Sequence, residues 1–364
     1  MRTPKPQEVF IIIDDDGLPK RSQILTENTQ LFDQLKNIYQ IMAQVIWKQI
    51  HEIVCLKVES QKNPNQWSYN ALNSICWTTG CFAGHIPQQQ EQSIFVTVLR
   101  SLLEFIKFKQ THEDKMVIAS NIMYLISSYK NYLNQNKDFL DIVIRKLMEF
   151  INEDIGSNVP EMAINSILTI SQNIKQGVQS SREEQKSFYD FIKDFEKMRK
   201  NLQVNKLLEG CLFETAGNII YSLHDPVQKA QWIEQCLQSY SPFWMIVNGN
   251  LNNQGFFEDS NNYQMISFFI KINCYLSDSI GPGYLPFFTQ NMLPIERIYS
   301  NYLELITNSF REQGENGLNL IKVRAYRLVR KNIISLIESL ARQSDPAHHK
   351  EFVEQFQQVL SFPL

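Results

Sequence analysis

From residue 26 onward, apolar residues recur at helical spacing with only short polar interruptions, and this continuity constrains the fold more than any other feature. The interruptions are QTHEDK, NEDIGSN, QSSREE, HDP, NNQGFFEDSNN, REQGENG and QSDPAHH. Between them, helices are predicted near 27–47, 66–85, 92–109, 114–130, 132–152, 158–176, 183–201, 205–223, 226–240, 258–280, 285–312, 318–343 and 346–361. Glycine and proline, which punctuate strands and turns, number only 13 each in 364 residues. Short connections between successive helices imply antiparallel pairs. Only the start reads otherwise: EVFIIIDDDGLPKRSQIL gives an apolar strand, an Asp16–Gly17 turn and a weaker second strand.

The helix pairs recur at roughly 40–60 residues, close to the period of HEAT-type repeats. The expected fold is therefore all-α: a HEAT-repeat solenoid over 26–364, with one acidic β-hairpin loop over 1–25. Such stacks offer long surfaces suited to binding macromolecules. With 23 Phe, 14 Tyr and 5 Trp the chain has ample material for a core. The net charge of −3 lacks the positive field of a nucleic-acid binder. No apolar run is long enough to span a bilayer. The polar, proline-broken MRTPKPQEVF argues against a signal peptide, so an intracellular protein is expected.

Catalytic signatures are missing. Phosphate-binding glycine motifs, HExxH and GxSxG do not occur. His51–Glu52 starts like a zincin motif, but Cys55 stands where the second ligand belongs. Asp14–Asp16 lack the alternate spacing of a Ca²⁺ loop. Cys76 and Cys81 read as small buried hydrophobes. A non-enzyme without metal or cofactor is expected.

The informative stretch is 92–152. In its first helix Phe95, Val98, Leu102 and Phe105 form one apolar stripe. Val96, Leu99, Leu103 and Ile106 form a second, rotated by about 100°. Near 132–152, Leu133, Leu140, Ile144, Leu147 and Ile151 make one stripe, and Tyr132, Phe139, Val143 and Phe150 another, with Lys146 inside it. A surface helix needs only one such stripe to reach a core. Two readings stand: a groove for an amphipathic helix, edged by a lysine whose stem covers apolar surface, or two stripes that are both buried.

FVTVLRSLLEF, DKMVIASNIMYLISSYKNYL and DFLDIVIRKLMEFINE resemble the central repeats of the chromosome-region-maintenance exportin family, receptors for leucine-rich nuclear export signals in the importin-β superfamily. QWSYNALNSICWTTGCFAG resembles that family's tryptophan-rich helix, and PQEVFIIIDDDGLPKR its acidic hairpin loop. PEMAINSILTISQNIK and, more loosely, SFFIKINCYLSDSIGPGYLPFFTQNMLPIERIYSNYLELI fit the repeats that follow.

The resemblance implies an export-signal groove on the outer face. Its residues here are Val96, Leu99, Leu103 and Ile106, then Ala119, Ile122 and Met123 from a floor helix, then Tyr132, Phe139, Val143 and Phe150. Lys146 matches a groove lysine, and Arg100 and Lys115 match basic residues of the rim. Implied partners are leucine-rich signal peptides of cargo proteins, Ran-GTP and nucleoporins, with shuttling between nucleus and cytoplasm and no direct contact with nucleic acid or membrane. The family's groove cysteine, the target of covalent inhibitors, is Ile106 here, and His112 replaces a rim lysine. The family's ring is about three times longer, so full Ran-regulated transport is not expected of this chain alone. The alternative function is a HEAT scaffold that holds protein partners without reading export signals.

Overall fold

The computed structural model describes residues 9–13, 19–24, 29–153, 159–177, 186–202, 205–289 and 291–343. They divide into two compact units between Glu209 and Gly210, where the sequence reads as one stretch of repeats. The acidic turn Asp14–Asp16 and the helix expected over 346–361 lie outside the described residues.

In the first unit, strands β1 (Val9–Ile13) and β2 (Pro19–Ile24) pair antiparallel, with Val9 opposite Ile24 and Ile12 opposite Arg21. The helices follow: α1 (Thr29–Ser60), α2 (Tyr69–Cys81), α3 (Gln88–Phe108), α4 (His112–Ser128), α5 (Lys130–Gln135), α6 (Lys137–Asn152), α7 (Val159–Gly177), α8 (Lys186–Lys193) and α9 (Phe195–Leu202). α1 packs on α2, α3 on α4, and α6 on α7, which are the stacked pairs of a HEAT-type helical fold. Neighbouring pairs join through α1 with α3, α2 with α4, and α4 with α7.

Local chemistry explains the boundaries. Ser68 and Thr111 cap α2 and α4 by accepting from the backbone N–H of Ala71 and Asp114. Gln61 stitches the α1–α2 loop, donating to the Gln66 carbonyl at 3.1 Å and accepting from the Ser68 N–H at 2.9 Å. α2 and α4 approach so closely at Gly80 that a Cβ there would lie 2.5 Å from Tyr124 Cε1.

The structure corrects several boundaries. α1 continues to Ser60 through a kink at Ile46 rather than ending near 47. The helix expected over 132–152 is two helices, α5 and α6. Asn136 leaves helical geometry (φ −125°, ψ 80°) and its side-chain amide donates to the Tyr132 carbonyl at 2.9 Å. Such local bonding by Asn competes with helix continuation. The expected 183–201 helix likewise breaks into α8 and α9.

The second unit takes α10 (Lys206–Ser222) from Gly210 onward, then α11 (Pro226–Leu237), α12 (Ser241–Gly249), α13 (Gln254–Glu258), α14 (Ser260–Ile280), α15 (Leu285–Thr289), α16 (Met292–Gln313), α17 (Glu315–Leu318) and α18 (Ile321–Gln343). The helix expected over 285–312 is thus α15 and α16. α14 and α18 form the central packing. The hydroxyls of Ser277 and Ser339 meet at 2.8 Å, and the Asn332 amide donates to Ser267 Oγ at 3.0 Å. α14 ends at Gly281, whose φ of 72° a side chain would oppose.

Candidate functional site

The first unit gathers the expected site residues around α3, α4 and α6. α4 packs closely against α3 and only lightly against α6, which packs chiefly on α7, α8 and α9, and α3 and α6 have little close backbone approach. Side chains bridge them instead. Phe95 stacks on Tyr129 at 4.3 Å and meets the edges of Tyr132 at 5.6 Å and Phe139 at 5.7 Å. Tyr129, at the α4–α5 junction, donates from its hydroxyl to the Thr79 carbonyl at 2.7 Å. Burial pushes the Tyr129 hydroxyl well above its ordinary pKa, so it stays a neutral donor.

Along this seam Val96, Leu103 and Phe139 are half-buried. Leu99, Ile106, Ala119, Ile122, Met123, Tyr132, Val143 and Phe150 are buried. The core stripes Phe95, Val98, Leu102 and Phe105, and Leu133, Leu140, Ile144, Leu147 and Ile151, are buried throughout. The second stripes are therefore mostly buried, with Val96, Leu103 and Phe139 partly open, and the ring contact that joins α3 to α6 runs from Phe95 of the core stripe to Phe139. Phe150 is 0% exposed. Because α5 and α6 are separate helices, Tyr132 does not share a continuous helical face with Phe139.

Lys146 sits at the edge of the seam with its side chain 21% exposed. Its ammonium lies 2.5 Å from Glu149 Oε2 and 5.1 Å from the centroid of the Phe150 ring. The lysine thus roofs the buried ring while keeping a charge partner at the surface. Arg100 is exposed and Lys115 half-buried. Asp141 ties α6 to α8 through the Ser187 hydroxyl.

Two features escape the sequence. Ile142, 52% exposed, adds an apolar side chain beside the seam. Its spacing, three after Phe139 and four before Lys146, was signal enough to find it. Trp67 donates from its indole N–H to Asp114 Oδ1 at 2.8 Å, a contact for which no local pattern exists.

The cysteines behave as packing residues. Cys76 and Cys81 are fully buried; burial pushes the Cys76 thiol far up and that of Cys81 to about 11. Among the described residues no group of three His, Cys, Asp or Glu is placed to hold a metal ion, and no helix is long and apolar enough to cross a membrane. What the site offers chemically is apolar surface edged with charge.

Residues 63–113 match the family model described as CRM1 / Exportin repeat 3. Protein EXPORTIN 1B of Arabidopsis thaliana is 25% identical, over 97% of this chain and 33% of that protein. Exportin-1 of Schizosaccharomyces pombe is 24% identical, over 94% of this chain and 32% of the relative. Exportin-1 of Drosophila melanogaster is 25% identical with the same coverage. The chain spans about a third of the length of these curated relatives. Over nearly its whole length it is similar to the CRM1-type exportins, the family that its own residues resemble.

Proposed function

We propose that this chain is the signal-binding part of a nuclear export receptor, and that leucine-rich export signals dock between α3 and α6. One observation carries the reading: two helices with surplus apolar stripes meet through side chains rather than backbone. Side-chain contacts part more readily than close-packed helices. Val96, Leu103 and Phe139 offer the first surface to an incoming amphipathic segment, and α4 supplies the floor. Lys146 selects at the edge, where its ammonium leaves Glu149 as the peptide enters. Arg100 and Lys115 face the acidic residues of the signal.

Opening costs free energy, because Leu99, Val143 and Phe150 leave the dry seam only if the peptide replaces their contacts. In the full-length receptor that cost falls to Ran-GTP, with nucleoporins as further partners during shuttling between nucleus and cytoplasm. β1 and β2 are read as the arms of a hairpin whose acidic tip reports Ran state. The burial of the same three residues favours one rival, a helical scaffold whose seam never opens. Fluorescence anisotropy with a labelled leucine-rich peptide separates the two. Saturable binding that weakens in Phe139→Ala supports the receptor; no binding at tens of micromolar supports the scaffold.

A further inference from the structure

The turn between α3 and α4 carries a cluster that the groove does not itself contain. The Lys109 ammonium lies 3.7 Å from the centroid of the Trp67 ring, a close cation–π contact. The indole N–H donates to Asp114 Oδ1 at 2.8 Å. Thr111 Oγ1 accepts from the Asp114 N–H at 3.1 Å. Phe105 and Tyr69 present ring contacts to Trp67 at 5.8 and 6.2 Å.

Three chain segments are thereby knitted together: the start of α2, the last turn of α3 and the first turn of α4. Lys109 ends α3, its N–H bonded to the Phe105 carbonyl at 2.9 Å. Asp114 is 9% exposed and holds the indole N–H at the rim of the fold. Ile106 stands on that last turn and Leu103 on the one before it, both on the second apolar stripe, while Phe105 of the core stripe meets Trp67.

We propose that Trp67, Lys109 and Asp114 are positioning residues, which fix the end of α3 and so hold Leu103 and Ile106 in place for an incoming peptide. The role rests on the export-signal reading of the seam. A wall held beforehand loses less conformational freedom on binding. Lys109 acts through Trp67, and its charge is directed to the indole face rather than to a ligand.

The test uses the full chain in an Ile106→Cys background. The rate of iodoacetamide alkylation at residue 106, resolved by peptide mass spectrometry, reports how freely the end of α3 opens. A fluorescein-labelled peptide with leucines at i, i+3, i+7 and i+10 reports binding to the same variants without the cysteine. Lys109→Gln and Trp67→Leu are expected to speed alkylation, and to weaken peptide binding, by about tenfold each, with helical content unchanged. Lys109→Arg, which keeps the stacked cation, is expected to restore both. Equal alkylation rates in Lys109→Gln and the parent overturn the proposal. Should Trp67→Leu fail to fold, the half-buried Lys109 decides alone. If the peptide does not bind even the wild type, the groove reading falls, while the alkylation rates still support or overturn the clamp on α3.

Discussion

Phe150→Ala isolates the consequence of a ring that is fully buried yet within reach of Lys146. The side chain is 0% exposed, and the Lys146 ammonium lies 5.1 Å from the ring centroid. Truncating a buried phenylalanine typically costs ~3–5 kcal/mol, from lost transfer energy and the cavity left behind. The first unit runs from Met1 to Glu209, and a domain of that size shifts by about 2–4 °C per kcal/mol, so its melting temperature should fall by about 6–20 °C. Differential scanning calorimetry of the variant against wild type measures this directly. Phe150→Leu is the control, since it keeps most of the volume and should cost less than about 2 kcal/mol. A Phe150→Ala loss below about 1 kcal/mol would refute the reasoning, because it would mean that the ring carries little packing and the seam stands open before any peptide binds.

Lys146→Ala should change peptide selectivity with a modest change in stability, because a surface ion pair and one cation–π contact sum to about 0.5–2 kcal/mol; thermal melts beside a peptide panel check both. Gly80→Ala should destabilise by about 1–3 kcal/mol through overpacking against Tyr124, and adding Tyr124→Leu should recover part of that loss in urea unfolding. Asp114 is held below the ordinary carboxylate pKa: burial acts to raise it, and the bonds from Thr111, Trp67 and Tyr69 together with the Lys109 charge outweigh that effect. Its contribution to stability is therefore present above the unfolded value near pH 4 and lost as pH falls through the lower folded value. Asp114→Asn should flatten that part of the acid-unfolding curve.

The core stripes of α3 and α6 were legible in the sequence because burial on one face imposes a 3.6-residue period whatever the partner. The break at Asn136 was not, since its neighbours keep the apolar period across it and only the amide's bond to the Tyr132 carbonyl shows the interruption. Periodicity also does not separate a stripe that faces water from one that faces a second helix, which is why Phe150 and Val96 look alike in sequence and differ in exposure. The Trp67 cluster joins residues 47 positions apart, so no window of sequence contains it.

Photo-crosslinking of a bound signal peptide tests the central claim most directly. A leucine-rich peptide with a benzophenone in place of its central anchor would be irradiated with the full chain, and the adducts mapped by mass spectrometry. Docking between α3 and α6 predicts adducts among Val96, Leu103, Phe139 and Ile142, suppressed by excess unlabelled peptide. Suppressible adducts confined to residues after Gly210 would contradict it.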